Sequence, residues 1–430
     1  MPGGSFRRPL VGSFSSSLAI QGLTVVTGVL LARQLGPHGR GELAGILLWT
    51  GLLTTIGSLG LADSVAYHAA REPRLGALVG TSIALCLAQS VVLIAIGWLV
   101  LPLALHSFDS DTVRTAQIFL AYIPVFLMNI YAMSILQGLG RFSAYQVVRV
   151  LQIVVVAVAF VSLAVFHAMT LHRVVGAYFA AYVICLSLSV TMMLRVTKEG
   201  LRVDTGLARS LLGFAVRSHS SNVSALFNER LDQLLISVFL APAQLGLYVV
   251  AVTLTSLTNL VGASVGIVVL PTVAAADEST RRVLARRYLR LTFVVAAAIS
   301  IPMIVFAPTL VGLFFGSSFS GAATASRILL VAAVALTLAR VSGVLLKGIG
   351  RPLDAGIAEF VALGVTLVFL VALLPLLGIV GAAIASLAAY AVSAGWSLRR
   401  LTRKSGLTIR EVVGGTDAPW KEARAAGGAS

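Results

Sequence analysis

The sequence predicts an all-α membrane protein in which twelve transmembrane helices form two pseudo-symmetric six-helix bundles. Hydrophobic residues make up 58% of the chain and charged residues 11%, against roughly 45–50% and about 25% in soluble domains. Charges are excluded from runs of about 20 residues, which is the length of a membrane-spanning helix. A lipid-exposed strand would leave its backbone unpaired, and the chain has no alternating barrel pattern. Helices are therefore expected throughout.

Twelve apolar runs have this length, six in each half of the chain. In the first half they lie near residues 10–32, 43–67, 76–101, 114–137, 148–167 and 174–194. In the second half they lie near residues 211–239, 244–273, 291–315, 322–346, 355–375 and 379–398. We therefore predict an N-terminal bundle over 1–195, a cytoplasmic linker over 196–210, a C-terminal bundle over 211–402 and a cytoplasmic tail over 403–430. The glycines and scattered charges of the tail are typical of disorder.

Two short motifs recur in the two halves. Residues 35–41 (LGPHGRG) match residues 240–246 (LAPAQLG) in their Leu, Pro and Gly. Residues 136–141 (LQGLGR) likewise match residues 346–351 (LKGIGR). Motifs that recur in the same order at similar offsets indicate a duplicated chain, and internal repeats in an apolar chain are typical of transporters. Because each half has an even number of spans, we expect a pseudo-twofold axis along the membrane normal and a cavity between the halves.

The positive charges predict the orientation. With the N-terminus inside, 24 of the 32 Lys and Arg residues fall in cytoplasmic segments and 5 on the opposite side. Cytoplasmic loops carry such an excess, so both termini are predicted to be cytoplasmic. The net charge of +16 is then a topology signal, and we expect no nucleic-acid partner. The chain has no P-loop motif, and Cys86 and Cys185 both lie in spans. We therefore expect neither a cofactor nor a metal site.

Polar groups inside spans are costly and mark the places where function is expected. In the seventh span, Arg217, Ser221, Ser224, Asn228 and Asp232 are spaced so that they share one helix face. A helix this polar cannot face lipid. It either lines a cavity or forms an interhelical seam of hydrogen bonds and ion pairs, and we favour the cavity.

Further candidates lie off this stripe. The first span carries a milder polar face with Ser17 and Thr24, for which close helix packing is the alternative explanation. Asp63, Glu229 and Asp232 are candidate ion-coupling acids, with structural ion pairs as the alternative. The remaining cations in or at the ends of spans are Arg33, Arg230 and Arg340.

Several segments resemble those of bacterial polysaccharide biosynthesis flippases. They are residues 31–37 (LARQLGP) with Gly41, residues 136–142 (LQGLGRF), and residues 230–237 (RLDQLLIS) followed by 245–248 (LGLY). The resemblance covers essentially the whole chain up to the tail. It implies a V-shaped transporter of the multidrug/oligosaccharidyl-lipid/polysaccharide (MOP) superfamily in the bacterial inner membrane. The implied activity is transfer of an undecaprenyl-diphosphate-linked oligosaccharide from the cytoplasmic to the outer leaflet by alternating access, for cell-surface polysaccharide assembly.

This activity matches the polar residues of the spans. A diphosphate requires cations in a shielded cavity, and arginine offers bidentate contacts to phosphate oxygens. We expect the phosphates to be bound by Arg217, Arg230, Arg340 and Arg33. We expect the sugars to be bound by Ser221, Ser224, Asn228, Ser17 and Thr24. The expected partners are the lipid-linked oligosaccharide, membrane lipids, H⁺ or Na⁺ as coupling ion, and a neighbouring glycosyltransferase or polysaccharide polymerase.

Two other functions are weighed against this one. A multidrug or metabolite cation antiporter of the same superfamily would require a net acidic cavity, and the intramembrane acids here face three or four arginines. A membrane glycosyltransferase or polysaccharide polymerase would require a sizeable catalytic loop or a convergent acid–base cluster. The predicted outer loops are too short for such a loop. We therefore predict a transporter that is not an enzyme.

The charge asymmetry makes a testable prediction about topology. Arg40, Asp109 and Arg173 should face the outside, whereas Arg74, Arg141, Arg286 and Arg351 should face the cytoplasm. The measurement is labelling of single cysteines from outside sealed cells, after replacement of Cys86 and Cys185. Labelling at position 286 but not at position 109 would contradict the predicted orientation.

Overall fold

The described chain is all-helical. The computed structural model describes residues 7–72 and 74–405, with side chains for all of these except 7–19, 218–226, 267–268, 271, 279 and 404–405. The first seven helices are α1 (Arg7–Gly57), α2 (Leu61–Ala69), α3 (Leu75–Ala104), α4 (Ser110–Phe119), α5 (Tyr122–Gly138), α6 (Phe142–Val165) and α7 (Leu171–Val196). The others are α8 (Thr205–Phe239), α9 (Pro242–Ala275), α10 (Glu278–Val305), α11 (Ala307–Phe315), α12 (Ala322–Gly348) and α13 (Pro352–Ser405), with a 3₁₀ turn at Ser317–Phe319.

The all-α membrane class is confirmed, but the number twelve is not. Eight described helices are long and apolar enough to cross a membrane. A ninth is added if the stretch Ile20–Gly57 and α2, which meet at an angle of 50°, form one broken span. Two of the longest helices are interrupted by glycines outside the helical region of backbone space: Gly36 in α1 (φ 66°, ψ −179°) and Gly378 in α13 (φ 57°, ψ −135°). The predicted tail beyond residue 405 lies outside the described residues.

Two predicted spans differ from the helices that form. The ninth run was placed at 291–315, whereas α10 begins thirteen residues earlier, at Glu278, and the chain continues as a separate α11. Apolarity defines only the part of a helix that meets lipid, so it misses the arginine-rich first turns of α10. The second run, 43–67, breaks at Leu59 and Gly60, which both have positive φ. A hydropathy pattern carries no signal for such a bend.

The described chain divides into two compact units. Unit 1 comprises Met1–Val249 and Phe314–Phe319, and unit 2 comprises Val250–Leu313 and Ser320–Ser430. Unit 1 therefore contains α8 and the first turns of α9 together with the seven N-terminal helices. The predicted bundles over 1–195 and 211–402 remain a prediction.

Within unit 1, the two copies of the first repeated motif lie directly against each other. A Cβ atom on Gly41 would overlap the carbonyl oxygen of Pro242, and a Cβ atom on Gly246 would overlap the carbonyl oxygen of Pro37. Each glycine thus packs on the proline of the partner copy, as in a contact between two symmetry-related surfaces. Proline suits the first turn of a helix, where its missing N–H is not needed. The repeated residues that indicate the duplication are therefore the same residues through which the two copies of the motif touch.

The second repeated motif ends a helix in the same way in both units. In unit 1, the Arg141 N–H donates to the Leu136 carbonyl at 2.9 Å and the Gly140 N–H donates to the Gln137 carbonyl at 3.0 Å. The equivalent bonds at residues 346–351 of unit 2 are 2.8 and 3.0 Å long. This pair of bonds defines the Schellman helix end, which requires a left-handed residue. The glycine has φ 71° in one copy and 79° in the other.

The linker between α7 and α8 lies along the start of α3. The backbone N–H of Gly76 donates to the Glu199 carboxylate at 3.0 Å, and the N–H of Asp204 donates to the Thr81 hydroxyl at 3.0 Å. A Cβ atom on Gly80 would overlap the Arg202 carbonyl oxygen. Gly76 and Gly80 therefore form a groove, one helical turn long, that the linker backbone fills.

Ion pairs at the end of this groove hold the linker in place. Arg74 contacts Glu72 at 3.0 Å and Asp204 at 3.2 Å. The hydrogen bond from Arg74 lowers the pKa of Glu72, and the Leu207 N–H lowers the pKa of Asp204. Carboxyl groups whose pKa is depressed on folding stabilise the fold above their unfolded pKa. That stabilisation is lost as the pH falls through the folded pKa.

Unit 2 has its own apolar core. Val269 and Val273 of α9, Leu289 of α10, and Leu345 and Leu346 of α12 are fully buried in one cluster. A polar contact ties the same helices together, because the hydroxyls of Thr258 and Ser300 lie 2.9 Å apart. In a membrane, where apolar side chains gain little from leaving lipid, such close packing and interhelical hydrogen bonds hold helices together.

The motif contact makes a prediction about stability. Gly41→Ala should lower the melting temperature of the detergent-solubilised protein, because its Cβ would collide with backbone rather than with a flexible side chain. Overpacking of this kind costs about 1–3 kcal/mol or more. Gly51→Ala in the same helix is the matched control, since nothing lies within 4 Å of its Cβ position. Equal melting temperatures for the two variants would show that the contact does not hold the helices together.

Candidate substrate site

Helix α8 carries the predicted polar stripe, and neighbouring helices of unit 1 fix both of its ends. Near its start, the Ser64 hydroxyl of α2 donates to the Leu211 carbonyl at 2.8 Å. Near its end, the Trp49 indole N–H of α1 donates to the Ser237 hydroxyl at 3.0 Å. The polar middle of α8 is thus held between two anchored ends.

The stripe is not uniform along the helix. Asn228 and Asp232 are buried, with 9% and 6% of their surface exposed, whereas Arg217 is exposed. Ser221 and Ser224 fall within the stretch whose side chains are not described. The C-terminal part of the stripe therefore faces protein, and cavity lining remains a prediction for the part that includes Arg217.

Asp232 lies at the corner where α8 ends and α9 begins. Its Oδ2 atom accepts a hydrogen bond of 2.5 Å from the hydroxyl of Tyr248, which is fully buried. Its Oδ1 atom lies 2.7 Å from the backbone N–H of Gln233. A buried carboxylate is tolerated only where donors replace its water, and Tyr248 supplies one of them. The sequence analysis gave Tyr248 no role, although Tyr248 and Asp232 both lie in the segments that carry the family resemblance.

Three of the predicted phosphate ligands belong to unit 1. Arg230 is exposed and uses one N–H to donate to the Gln233 amide oxygen at 3.3 Å. Arg33 is exposed at the end of the first segment of α1, and its Nε donates to the Phe314 carbonyl at 2.7 Å. A guanidinium has five N–H donors, so the neutral contact of Arg230 leaves donors for an oxyanion. The fourth predicted ligand, Arg340, is half-buried on α12 in unit 2.

The remaining predicted site residues are placed as follows. Asp63 is exposed in the first turn of α2, and Glu229 is exposed on α8. The Thr24 hydroxyl donates to the Ile20 carbonyl of its own helix at 2.8 Å, a bond that leaves its oxygen free to accept. The side chain of Ser17 lies outside the described set. The roles assigned to all of these residues remain predictions.

A buried polar network in unit 1 was missed by sequence analysis. The Tyr131 hydroxyl donates to the Gln89 amide oxygen at 2.6 Å, and the Gln89 amide donates to the Gly57 carbonyl at 3.0 Å. The Ser189 hydroxyl donates to the Asn129 amide oxygen at 2.8 Å. Single amides inside apolar runs were the available signal, since an amide in lipid also needs partners. These bonds tie helices together inside the unit.

The fold and the polar helix define a class of protein: a multi-pass, all-helical membrane protein with arginines on one of its helices. A family model described as "Polysaccharide biosynthesis protein" matches residues 11–277, more than half of the chain. The chain therefore belongs to the polysaccharide biosynthesis protein family, and the resemblance noted in the sequence is confirmed. No curated protein sequence matches the chain.

Several solved structures share the fold. The lipid II flippase MurJ in an inward closed conformation has a TM-score of 0.77 at 13% identity, covering 96% of this chain and 95% of that one. An inward-facing multidrug resistance MATE family transporter of the MOP superfamily has a TM-score of 0.66 at 16% identity, covering 90% and 96%. A MOP superfamily transporter from Pyrococcus furiosus, whose binding pocket has reverse polarity, has a TM-score of 0.53 at 15% identity, covering 92% and 95%. These proteins are described as flippases and transporters, and the likeness shows that this chain shares their fold.

The Asp232–Tyr248 contact separates two roles for Asp232. If the carboxylate is structural, Tyr248→Phe and Asp232→Asn should both lower the melting temperature, because a buried group that loses its partner costs about 1–3 kcal/mol. Tyr145→Phe is the control, since the Tyr145 hydroxyl makes no hydrogen bond within the described part of the chain. If Asp232 couples transport to an ion instead, Asp232→Asn should keep its melting temperature but lose its response to an imposed gradient. A normal melting temperature and a normal gradient response together would contradict both roles.

Proposed function

We propose that this protein is a flippase that moves an undecaprenyl-diphosphate-linked oligosaccharide from the cytoplasmic to the outer leaflet of the bacterial cell membrane. The proposal joins the family match with the fold of the MOP superfamily, in which one protein of similar fold is a lipid II flippase. Such a substrate has a lipid tail that stays in the bilayer, a doubly charged phosphate group and a polar glycan. Its transporter must supply cations and hydrogen-bonding groups inside an apolar chain.

The observation that carries the proposal is the pair of exposed arginines on α8. Arg217 and Arg230 belong to a predicted membrane span, where an exposed cation that met lipid would be expensive. Arg230 is held by the neutral amide of Gln233, and Arg217 has no hydrogen bond or ion pair among the described side chains. Both therefore have donors that suit a diphosphate, which arginine can bind through two parallel hydrogen bonds.

Each part of the substrate then has a candidate partner. We assign the diphosphate to Arg217 and Arg230, with Arg33 and Arg340 as further cations. Hydroxyl and amide groups on α8 and on the first segment of α1 are assigned to the glycan: Ser17, Thr24, Ser221, Ser224 and Asn228. The direction of transport follows from the predicted cytoplasmic termini and from the chemistry of the substrate, which is made on the cytoplasmic side.

Reconstituted flipping of a lipid-diphosphate sugar tests the assignment. Arg217→Ala and Arg230→Ala should each lower the rate by roughly ten- to a hundredfold, which corresponds to the loss of one charge-assisted hydrogen bond. Arg217→Lys and Arg230→Lys should also be slow, because an ammonium group keeps the charge but loses the planar fork. All rates are compared at equal amounts of protein in the vesicles.

Arg114→Ala is the matched control for this experiment. Arg114 is also an exposed arginine, but it lies on α4, away from the polar helix. Its replacement should leave the rate unchanged. Full activity of both alanine variants on α8 would refute the assignment of the phosphate site.

A cation antiporter is the second candidate function, and the exposed acids Asp63 and Glu229 favour it. A fold shared with MATE transporters is equally compatible with it. In that case Glu229→Gln should abolish transport of an organic cation, while the arginine variants on α8 should not. Transport of a cation by a preparation that does not flip lipid-linked sugars would favour the antiporter.

A further inference from the structure

A histidine and two carboxylates meet in unit 1, well separated in the sequence. His38 and Glu42 lie one turn apart on the second segment of α1, and Asp109 immediately precedes α4. The His38 Nε2 atom is 3.4 Å from a Glu42 oxygen and 3.5 Å from an Asp109 oxygen. One ligand atom from each of the three residues lies within 4.8 Å of the other two. Asp109 reaches this place because Gly45 lets the loop at Phe108 pack closely on α1.

The distances fit a shared ion better than hydrogen bonds. A hydrogen bond from nitrogen to oxygen is about 2.7–3.2 Å long, and both separations at His38 Nε2 are longer than this. Zinc binds histidine nitrogen and carboxylate oxygen at about 2.0–2.2 Å in a tetrahedron, so two of its ligand atoms are about 3.3–3.5 Å apart. The two separations at His38 have this length.

Neighbouring groups orient the ligands in the way that metal sites require. The Thr112 hydroxyl, which is buried, donates to the Glu42 carboxylate at 2.5 Å. Partners of this kind fix a ligand and raise metal affinity. Asp109 occupies the N-cap of α4, where an aspartate ordinarily accepts from the helix backbone. Its side chain makes no such bond and instead approaches His38.

The packing of the repeated motif does not explain these residues. In the second copy, Ala243 and Leu247 stand at the positions equivalent to His38 and Glu42. The same contact between the copies therefore forms with apolar residues at these positions. His38 and Asp109 are also open to solvent, with 56% and 74% of their side chains exposed, so an ion has access.

We propose that His38, Glu42 and Asp109 bind a divalent transition-metal ion, with Zn²⁺ as the ion that fits best. One imidazole and two carboxylates form a borderline donor set, which favours zinc-like ions over Mg²⁺ or Ca²⁺. Water fills the fourth position, as in zinc sites with three protein ligands. The bound ion cross-links α1 to the start of α4.

Metal binding to the full-length protein tests this site. The protein is purified in detergent without a polyhistidine tag, stripped with a chelator and titrated with Zn²⁺ by calorimetry. We expect one tightly bound Zn²⁺ per chain and a melting temperature that rises by a few degrees in its presence. His38→Ala and Asp109→Asn should each weaken Zn²⁺ binding by at least tenfold, since each removes one ligand. Binding of Co²⁺ should give visible absorption bands of tetrahedral coordination that are lost in His38→Ala.

The control is His172→Ala. His172 is also exposed and contacts an aspartate, Asp111, at 3.2 Å, but it is outside the three-residue cluster. This variant should bind Zn²⁺ as the unmodified protein does. Unchanged Zn²⁺ affinity in both His38→Ala and Asp109→Asn would overturn the proposal, as would saturation by Ca²⁺ or Mg²⁺ in preference to Zn²⁺. Asp109→Asn keeps the test decisive if another variant fails to fold, because its side chain is largely exposed.

Discussion

The close backbone contact between the two copies of the Leu-x-Pro-x-x-x-Gly motif is the constraint on which unit 1 depends. Gly41 and Gly246 each pack against the carbonyl of the other copy's proline, and no side chain fits between them. Other contacts lie next to this motif contact. Trp49 bonds to Ser237 at the end of α8, and the Ser107 hydroxyl donates to the Leu240 carbonyl at 3.2 Å. The contact between the two motif copies therefore fixes where α8 ends and α9 begins. It thereby also fixes the position of α8, the helix that carries the polar stripe.

The sequence predicted those parts of the fold that depend on the backbone. Glycine and proline report directly on left-handed residues, helix starts and close approaches. The first repeated motif therefore corresponds to a contact between helices, and the second repeated motif corresponds to two helix ends with the same hydrogen bonds. The bend at Leu59 was not predicted, because hydropathy is the same on either side of it, whereas the break at Gly378 lies in the predicted gap between the spans 355–375 and 379–398. The groove at Gly76 and Gly80 was also not predicted, because a glycine within an apolar run does not indicate that the linker backbone packs on it.

The candidate site shows what a sequence pattern cannot predict, namely the surroundings of each side chain. A helical stripe gives the angle of a residue around its helix but not what faces that angle, so Asn228 and Asp232 are buried while Arg217 is exposed on the same stripe. The difference matters for chemistry. A buried aspartate that accepts from Tyr248 has its water replaced by protein and suits a structural or gated role. An exposed arginine keeps its donors for a ligand. Pairs distant in sequence, such as Glu42 and Thr112, cannot be found from spacing at all.

The two copies of each repeated motif share the same backbone contacts and hydrogen bonds but differ in their charged side chains. Both copies of the second motif end a helix with the same bonds, yet Gln137 of one copy is Lys347 in the other. His38 and Glu42 are likewise replaced by Ala243 and Leu247. A backbone contact restricts only the residues that touch it, so other side chains of the same helix are free to change. Chemistry that breaks the repeat is therefore where a binding role is expected. The His38 cluster fits that description, since the contact between the copies forms with Ala243 and Leu247 at the equivalent positions.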